Sequence, residues 1–178
     1  MDRSAENHYA RMPFEEYRKI MLPMAEHCIV FHWAWRDERL ELIQQYLREQ
    51  GVSRRTLIAW KKTTPGTGLI LRDNCELLLI AARGNPVWPA LGQQQLAAID
   101  APWEGLFDGI VEAPNPQHSR KPEIFADEIS RLWPNTPKLE MFYRVLKDPK
   151  AERARRAKRE AAGWYFHGNE AEVTEAAV

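Results

Sequence analysis

The chain has 178 residues, enough for one domain with a sizeable core, and carries 25 basic against 25 acidic side chains. A formal charge of zero excludes attraction to nucleic acid through the surface as a whole and leaves only a local basic patch. Hydrophobic content of 44% and charged content of 28% fit a soluble globular protein, and no apolar run approaches the roughly 18 residues of a membrane span.

Residues 1–12 are polar and hold no apolar signal-peptide core, so a cytoplasmic location is expected. Pro13, then Phe14, Tyr17, Ile20 and Met21 at three- and four-residue spacing, predict a helix over 13–24. Residues 28–35 (CIVFHWAW) are an almost unbroken apolar and aromatic run, the pattern of a strand buried on both faces. Trp33 and Trp35 read there as core and sheet-surface side chains rather than as base-stacking groups. Asp37 is placed to cap a helix with Leu40, Ile43, Tyr46 and Leu47 on one face, and Gly51 to end it. Strands follow at 56–61 and 76–82, separated by a glycine-containing loop at 63–74. Strand and helix in alternation predict an α/β protein with a parallel or mixed sheet.

Residues 84–109 have little periodicity and many prolines and glycines, as in a long surface excursion. Ile110 and Val111 form a minimal strand, residues 121–132 a helix with Ile124, Phe125, Ile129 and Leu132 inward, and residues 139–142 a short apolar strand. Segment 147–162 is rich in alanine and cations, without an apolar stripe. Seven basic residues against three acidic ones give it a local +4. Residues 163–168 form a last strand, and the alanine-rich tail at 173–178 reads as disordered. Cys28 and Cys75 sit in apolar contexts and read as buried free thiols of a reducing compartment. The five histidines show no ligand spacing, so no metal is expected.

The stretch 116–144 is the most informative. Lys121 stands at a helix start, and Glu140 and Arg144 lie at or just beyond a strand. A nucleotide-type cofactor needs this order, because a helix start binds anions and a strand end places an acid beside the ligand. A lysine at such a position is otherwise a solvated side chain. Glu140, an acid in an apolar strand, must pair with Lys121 or Arg144 or lie in the pocket.

Several stretches in this order resemble the adenine-N6 methyltransferases related to the messenger-RNA N6-methyladenosine writer, of which bacterial and phage members act on DNA. They are Asn7-His8-Tyr9, 31–34 (FHWA), 60–62 (WKK), 76–79 (ELLL), 112–114 (EAP), 118–122 (HSRKP), 139–142 (LEMF) with Arg144, and Gly163-Trp164 leading to Gly168-Asn169-Glu170. The resemblance implies a Rossmann-like methyltransferase sheet with helices on both faces over residues 1–172, and S-adenosylmethionine as cofactor. It implies Lys121 as the contact to the donor's carboxylate and Arg144, Asn169 and Glu170 as contacts on its ribose side, with Glu140 in the same pocket. DNA is the implied partner, in preference to RNA. His8 and Tyr9 would lie near the substrate, or else pack the first helix. Arg153, Arg155, Arg156, Lys158 and Arg159 would meet the phosphate backbone, or else form a solvated helix face.

Members of that family carry Asp-Pro-Pro-Trp upstream of the His-Tyr segment. The acid accepts hydrogen bonds from the adenine amine and the aromatic ring stacks on the flipped base, which helps a weak nucleophile to attack the sulfonium methyl. Here the sequence opens with Met1-Asp2-Arg3-Ser4, and its one internal approximation is Asp100-Ala-Pro-Trp103, with Asp100, Pro102 and Trp103 as candidate catalytic residues or as a loop turn. The expectation is a shortened domain lacking one central strand between 28–35 and 139–142. Such a chain is expected to be marginally stable alone, or to take the missing sheet contacts from a partner subunit. A non-catalytic nucleic-acid-binding or partner subunit of the same fold is the rival expectation.

Overall fold

The computed structural model describes residues 12–34, 38–63, 74–89, 110–114 and 120–168. Its elements are α1 (Phe14–Tyr17), β1 (Cys28–Ala34), α2 (Arg39–Glu49), β2 (Ser53–Lys62), β3 (Cys75–Arg83), β4 (Ile110–Ala113), α3 (Glu123–Leu132), β5 (Lys138–Met141), α4 (Pro149–Ala161) and β6 (Trp164–His167). The chain is mixed α/β, as predicted, but its described strands form two sheets rather than one. The order is β1-β3-β2-β4 in the first and β5-β6 in the second. β1 and β2 both run antiparallel to β3, while β5 and β6 are parallel, so of the two expected arrangements, parallel or mixed, it is the mixed one that is found.

Two compact units divide the chain, and β1, β3 and most of β2 belong to the first. One face of its sheet packs on helix. Ile43, Tyr46 and Leu47 of α2 repeat at helical spacing and bury against Leu79, Ala81, Ala34 and Val52, with Val30, Leu57 and Tyr17 packed at the edge. The Ile, Leu and Val side chains among them contribute about 1.5–3 kcal/mol each when fully buried. On the opposite face Trp33 meets Trp60 edge-on at 5.9 Å between ring centres, and Trp60 is completely buried. Trp33 is therefore a sheet side chain, as predicted; Trp35 lies outside the described residues.

α2 ends as its sequence promises. Gly51 takes φ 75°, its N–H donates to Arg48 O, and the Val52 N–H reaches back to Leu47 O at 2.9 Å. This is a Schellman closure, with Val52 buried in the core beside Leu47. The start differs: Glu38 occupies the N-cap position without a side-chain cap, and Asp37 lies outside the described residues.

The helix expected over 13–24 shrinks to the single turn Phe14–Tyr17. The side chains of Tyr46 in α2 and of its C-cap residue Gln50 take the backbone groups that a longer helix would need. Tyr46 Oη and Gln50 Nε2 both donate to Ile20 O, and the Leu22 N–H donates to Gln50 Oε1 at 2.8 Å. Pro23 contributes no N–H to a further turn. Tyr17, released from a long helix, stacks at 4.9 Å on Tyr46 and reaches His32 Nε2 at 2.6 Å.

The cysteines are free but half-buried rather than buried. Cys28 is level with Arg83 and Cys75 begins the same partner strand, so a strand length of about 26 Å separates them. No bridge can span that distance.

Candidate functional site

The second unit contains the stretch from Arg120 to Gly168. The alternation of β5 and β6 sorts its side chains onto two faces. Lys138 pairs with Trp164 and Glu140 with Phe166 on one face; Leu139 pairs with Tyr165 and Met141 with His167 on the other. Both helices of the unit contact the first face. Trp164 Nε1 donates to Ser130 Oγ of α3 at 2.8 Å, and Arg159 and Arg156 of α4 lie over the rings of Trp164 and Phe166. Leu139 and Tyr165 on the other face are exposed. The expected coverage of a sheet by helices on both faces is thus not found for this pair among the described residues.

α3 begins later than predicted. Pro122 is its N-cap residue, in extended conformation, so Lys121 immediately precedes the helix instead of lying within its first turn. Glu123 opens the helix and is the centre of the site. Its Oε1 receives Arg120 Nη2 at 2.7 Å and Arg155 Nη1 at 3.1 Å, and its Oε2 receives Arg159 Nη2 at 2.6 Å. Burial alone would push this carboxyl up, but Arg120, Arg159 and Arg155 together hold it below the usual carboxylate range.

Glu140, from the middle of β5, accepts from Arg159 Nη1. The apolar strand therefore does carry a paired acid, but its partner is a residue of α4 and not Lys121 or Arg144. Burial pushes the Glu140 carboxyl up, aided by the neighbouring Glu123, and Arg159 and Arg155 offset only part of this.

β5 ends abruptly. Phe142 adopts φ 58°, a conformation costing a non-glycine residue about 1–2 kcal/mol, and turns the chain away after Met141. Gly168 packs against this turn so closely that a Cβ there would stand 3.1 Å from Phe142 Cα. The Tyr143 N–H closes the corner on His167 O at 3.1 Å. Tyr143 then buries its ring under the Arg155 guanidinium, 4.6 Å from its centre, and donates its hydroxyl to Glu152. Glu152, itself buried, also accepts from the Leu146 N–H at 2.8 Å and pairs with Arg155 at 3.0 Å. Arg155 Nη2 donates to the carbonyl of Arg144.

The basic helix α4 is consequently not a uniform cationic face. Asp148 caps it by accepting from the Lys150 N–H at 2.9 Å, and Pro149 stands at its first position. Arg155 and Arg159 turn inward and are consumed by Glu123, Glu140 and Glu152. Arg156 pairs with Glu160 at 2.8 Å, and Lys158 reaches Asp127 of α3 at 2.7 Å from an exposed position. Arg153 is exposed. Of the five cations expected to face a nucleic acid, Arg155 and Arg159 are thus placed inside the unit.

The remaining predicted site residues, His8, Tyr9, Asp100, Pro102, Trp103, Asn169 and Glu170, lie outside the described residues. Sequence reasoning passed over Glu123, Glu152 and Tyr143. The signal for Glu152 was present: Glu152, Arg155 and Arg159 fall at i, i+3 and i+7, one charged stripe on one helix face.

A protein-family profile described as MT-A70 matches residues 1–151, more than four-fifths of the chain. A search of curated proteins returned no match. The chain belongs to the MT-A70 family, the adenine-N6 methyltransferase family that includes the m6A writers.

Proposed function

We propose that this chain binds S-adenosylmethionine in its second unit, at the carboxyl end of β5, and serves N6-adenine methylation of DNA. One observation carries the reading. The three segments bearing Lys121, Glu140 and Arg144 are drawn together by two arginines of α4, through Glu123, through Glu140 and through the Arg144 carbonyl. Parallel strands bind ligands beyond their carboxyl ends, and β5 and β6 are parallel there.

The residues present fit the donor. Its carboxylate suits the approach to α3, where Lys121 precedes a helix start and the backbone dipole is positive. The Nε atoms of Arg120, Arg155 and Arg159 are buried with no partner among the described residues, so hydrogen-bond donor capacity remains around Glu123. Glu140 supplies negative charge beside it for the donor's cationic end. Bound there, S-adenosylmethionine would supply an activated methyl group. The work of this chain's own residues is to hold the carboxylate, orient the ribose through Arg144, Asn169 and Glu170, and keep the strand-end turn rigid. Exposed Arg153 and Lys158 would add salt-dependent contact to the DNA backbone, in a cytoplasmic setting.

A second reading fits the same family membership, which covers methyltransferases and related subunits. In that reading the chain is a non-catalytic, nucleic-acid-binding or partner subunit of the same fold. Calorimetry with S-adenosylmethionine, paired with transfer of a labelled methyl group to adenine-containing DNA, separates the two. Donor binding abolished by Lys121→Ala, together with label in DNA, supports the enzyme. Salt-dependent DNA binding without donor binding or label supports the subunit.

A further inference from the structure

We infer that Arg155 and Arg159 of α4 are positioning residues for donor binding, acting through Glu123, Glu140 and the Arg144 carbonyl. The inference rests on the donor-site reading above and adds to it residues from outside the matched stretch. The family profile ends at residue 151, whereas α4 runs from Pro149 to Ala161.

The geometry is that of two forks holding three segments. Arg159 spends one Nη on Glu140 and the other on Glu123 Oε2, joining β5 to the start of α3. Arg155 spends one Nη on Glu123 Oε1 and the other on Glu152 and the Arg144 carbonyl, joining the same helix start to the loop after β5. The two oxygens of Glu123 are thus held by different arginines, and its side-chain plane is fixed from both sides. Side chains of both arginines are at most 9% exposed. Their guanidinium faces rest on Tyr143 and Trp164, which prevents the forks from rotating.

Lysine could supply the charge but not two simultaneous, coplanar bonds. A surface helix needing only solubility would not bury two arginines at i and i+4 against three carboxylates. The arrangement matches the support that a precise binding site requires, where neighbours of the contacting residues lock their positions.

Glu140 is the most sensitive reporter of this support. The charged groups that face it are Arg159 and Arg155 from α4 and Glu123 from α3, while Lys138, two residues earlier on its own strand, donates instead to the carbonyls of Thr136 and Ala162. Removing Arg159 leaves Glu140 beside Glu123 with less positive charge near it, so it takes up a proton more readily.

The test is calorimetric titration of S-adenosylmethionine into the full chain between pH 6 and pH 8.5. The proteins are wild type, Arg159→Met, Arg159→Lys, Glu140→Gln and the Arg159→Met/Glu140→Gln double variant. Arg159→Met is expected to weaken binding about tenfold or more. Its Kd should also weaken further as pH falls, more steeply than wild type, because a protonated Glu140 no longer presents a charge. The double variant should lose that extra pH dependence, which a merely structural arginine would not confer. Arg159→Lys should recover part of the affinity, and it carries the test if Arg159→Met does not fold. A folded Arg159→Met or Arg159→Lys with wild-type affinity and pH profile overturns the positioning role and leaves the donor site standing. Absence of binding by the wild type overturns the donor site and the positioning role with it.

Discussion

The two units hold themselves together by opposite means. The first packs Ile43, Tyr46, Leu47, Leu79 and Ala81 into an apolar core, with Trp60 buried on the far face of its sheet. The second lays two helices on one face of a two-stranded sheet and fills the join with three carboxylates, four guanidinium groups and three aromatic rings. Apolar packing has no preferred direction and tolerates repacking, whereas forked arginine bonds fix orientation. Under the proposed donor site, the first unit is scaffold and the second the site. Leucines maintain shape, but holding Glu123, Glu140 and the Arg144 carbonyl in register takes directional bonds.

The contrast can be broken by substitution, beginning with the largest effect. Trp60→Ala should destabilise the chain by about 4 kcal/mol, since it opens a cavity where a completely buried indole stood. Arg159→Met should cost about 3 kcal/mol by leaving two carboxylates without their shared partner. The two regions part company in the next step. Adding Glu140→Leu to Arg159→Met should restore part of that loss, because the carboxylate that Arg159 held is gone while Glu123 keeps Arg120 and Arg155, whereas no polar replacement will rescue Trp60. Urea unfolding of the purified variants measures all three.

A smaller and pH-dependent effect belongs to Glu123. Its carboxyl is held below the usual range in the folded chain, so its contribution is present above the ordinary value of 4.5 and lost as pH falls through the folded value. Glu123→Gln should therefore cost about 2 kcal/mol near neutral pH. The gap in urea midpoint between it and wild type should close below pH 4.5. A gap that stayed constant down to pH 3 would show that the carboxylate's charge contributes nothing. The smallest effect is expected at the exposed Lys158–Asp127 pair, where Lys158→Ala should change stability by less than about 0.5 kcal/mol.

Which parts were legible in the sequence follows from the same contrast. The runs at 28–35 and 76–82 and the α2 stripe announced themselves by their apolar pattern, and Gly51 marks the end of α2, but β1 ends the described sheet and is mostly half-buried instead of buried on both faces. The first helix was overestimated because its continuation competes with Tyr46 and Gln50, residues 26 and 30 positions away, for Ile20 O. Alternation with helices leaves parallel and mixed pairing both open, and the antiparallel pairs of β3 with β1 and β2 decide for the mixed one. Glu140 was recognised as an acid in need of a partner, yet its partner lies 19 residues along in α4. Counting charges in 147–162 gave a surplus of cations without saying which of them turn inward. That choice is made by Tyr143 and Trp164, whose rings accept Arg155 and Arg159, and by carboxylates on three other segments.

The central claim is that Lys121, Glu140 and Arg144 form one donor site in the second unit. Backbone amide NMR of the chain titrated with S-adenosylmethionine tests it most directly. The account predicts that the amides of Lys121, Glu140 and Arg144 shift together with one dissociation constant, while those of Leu47 and Leu79 in the first unit's core stay in place. Shifts confined to the first unit, or none at any of the three residues at saturating donor, would contradict it.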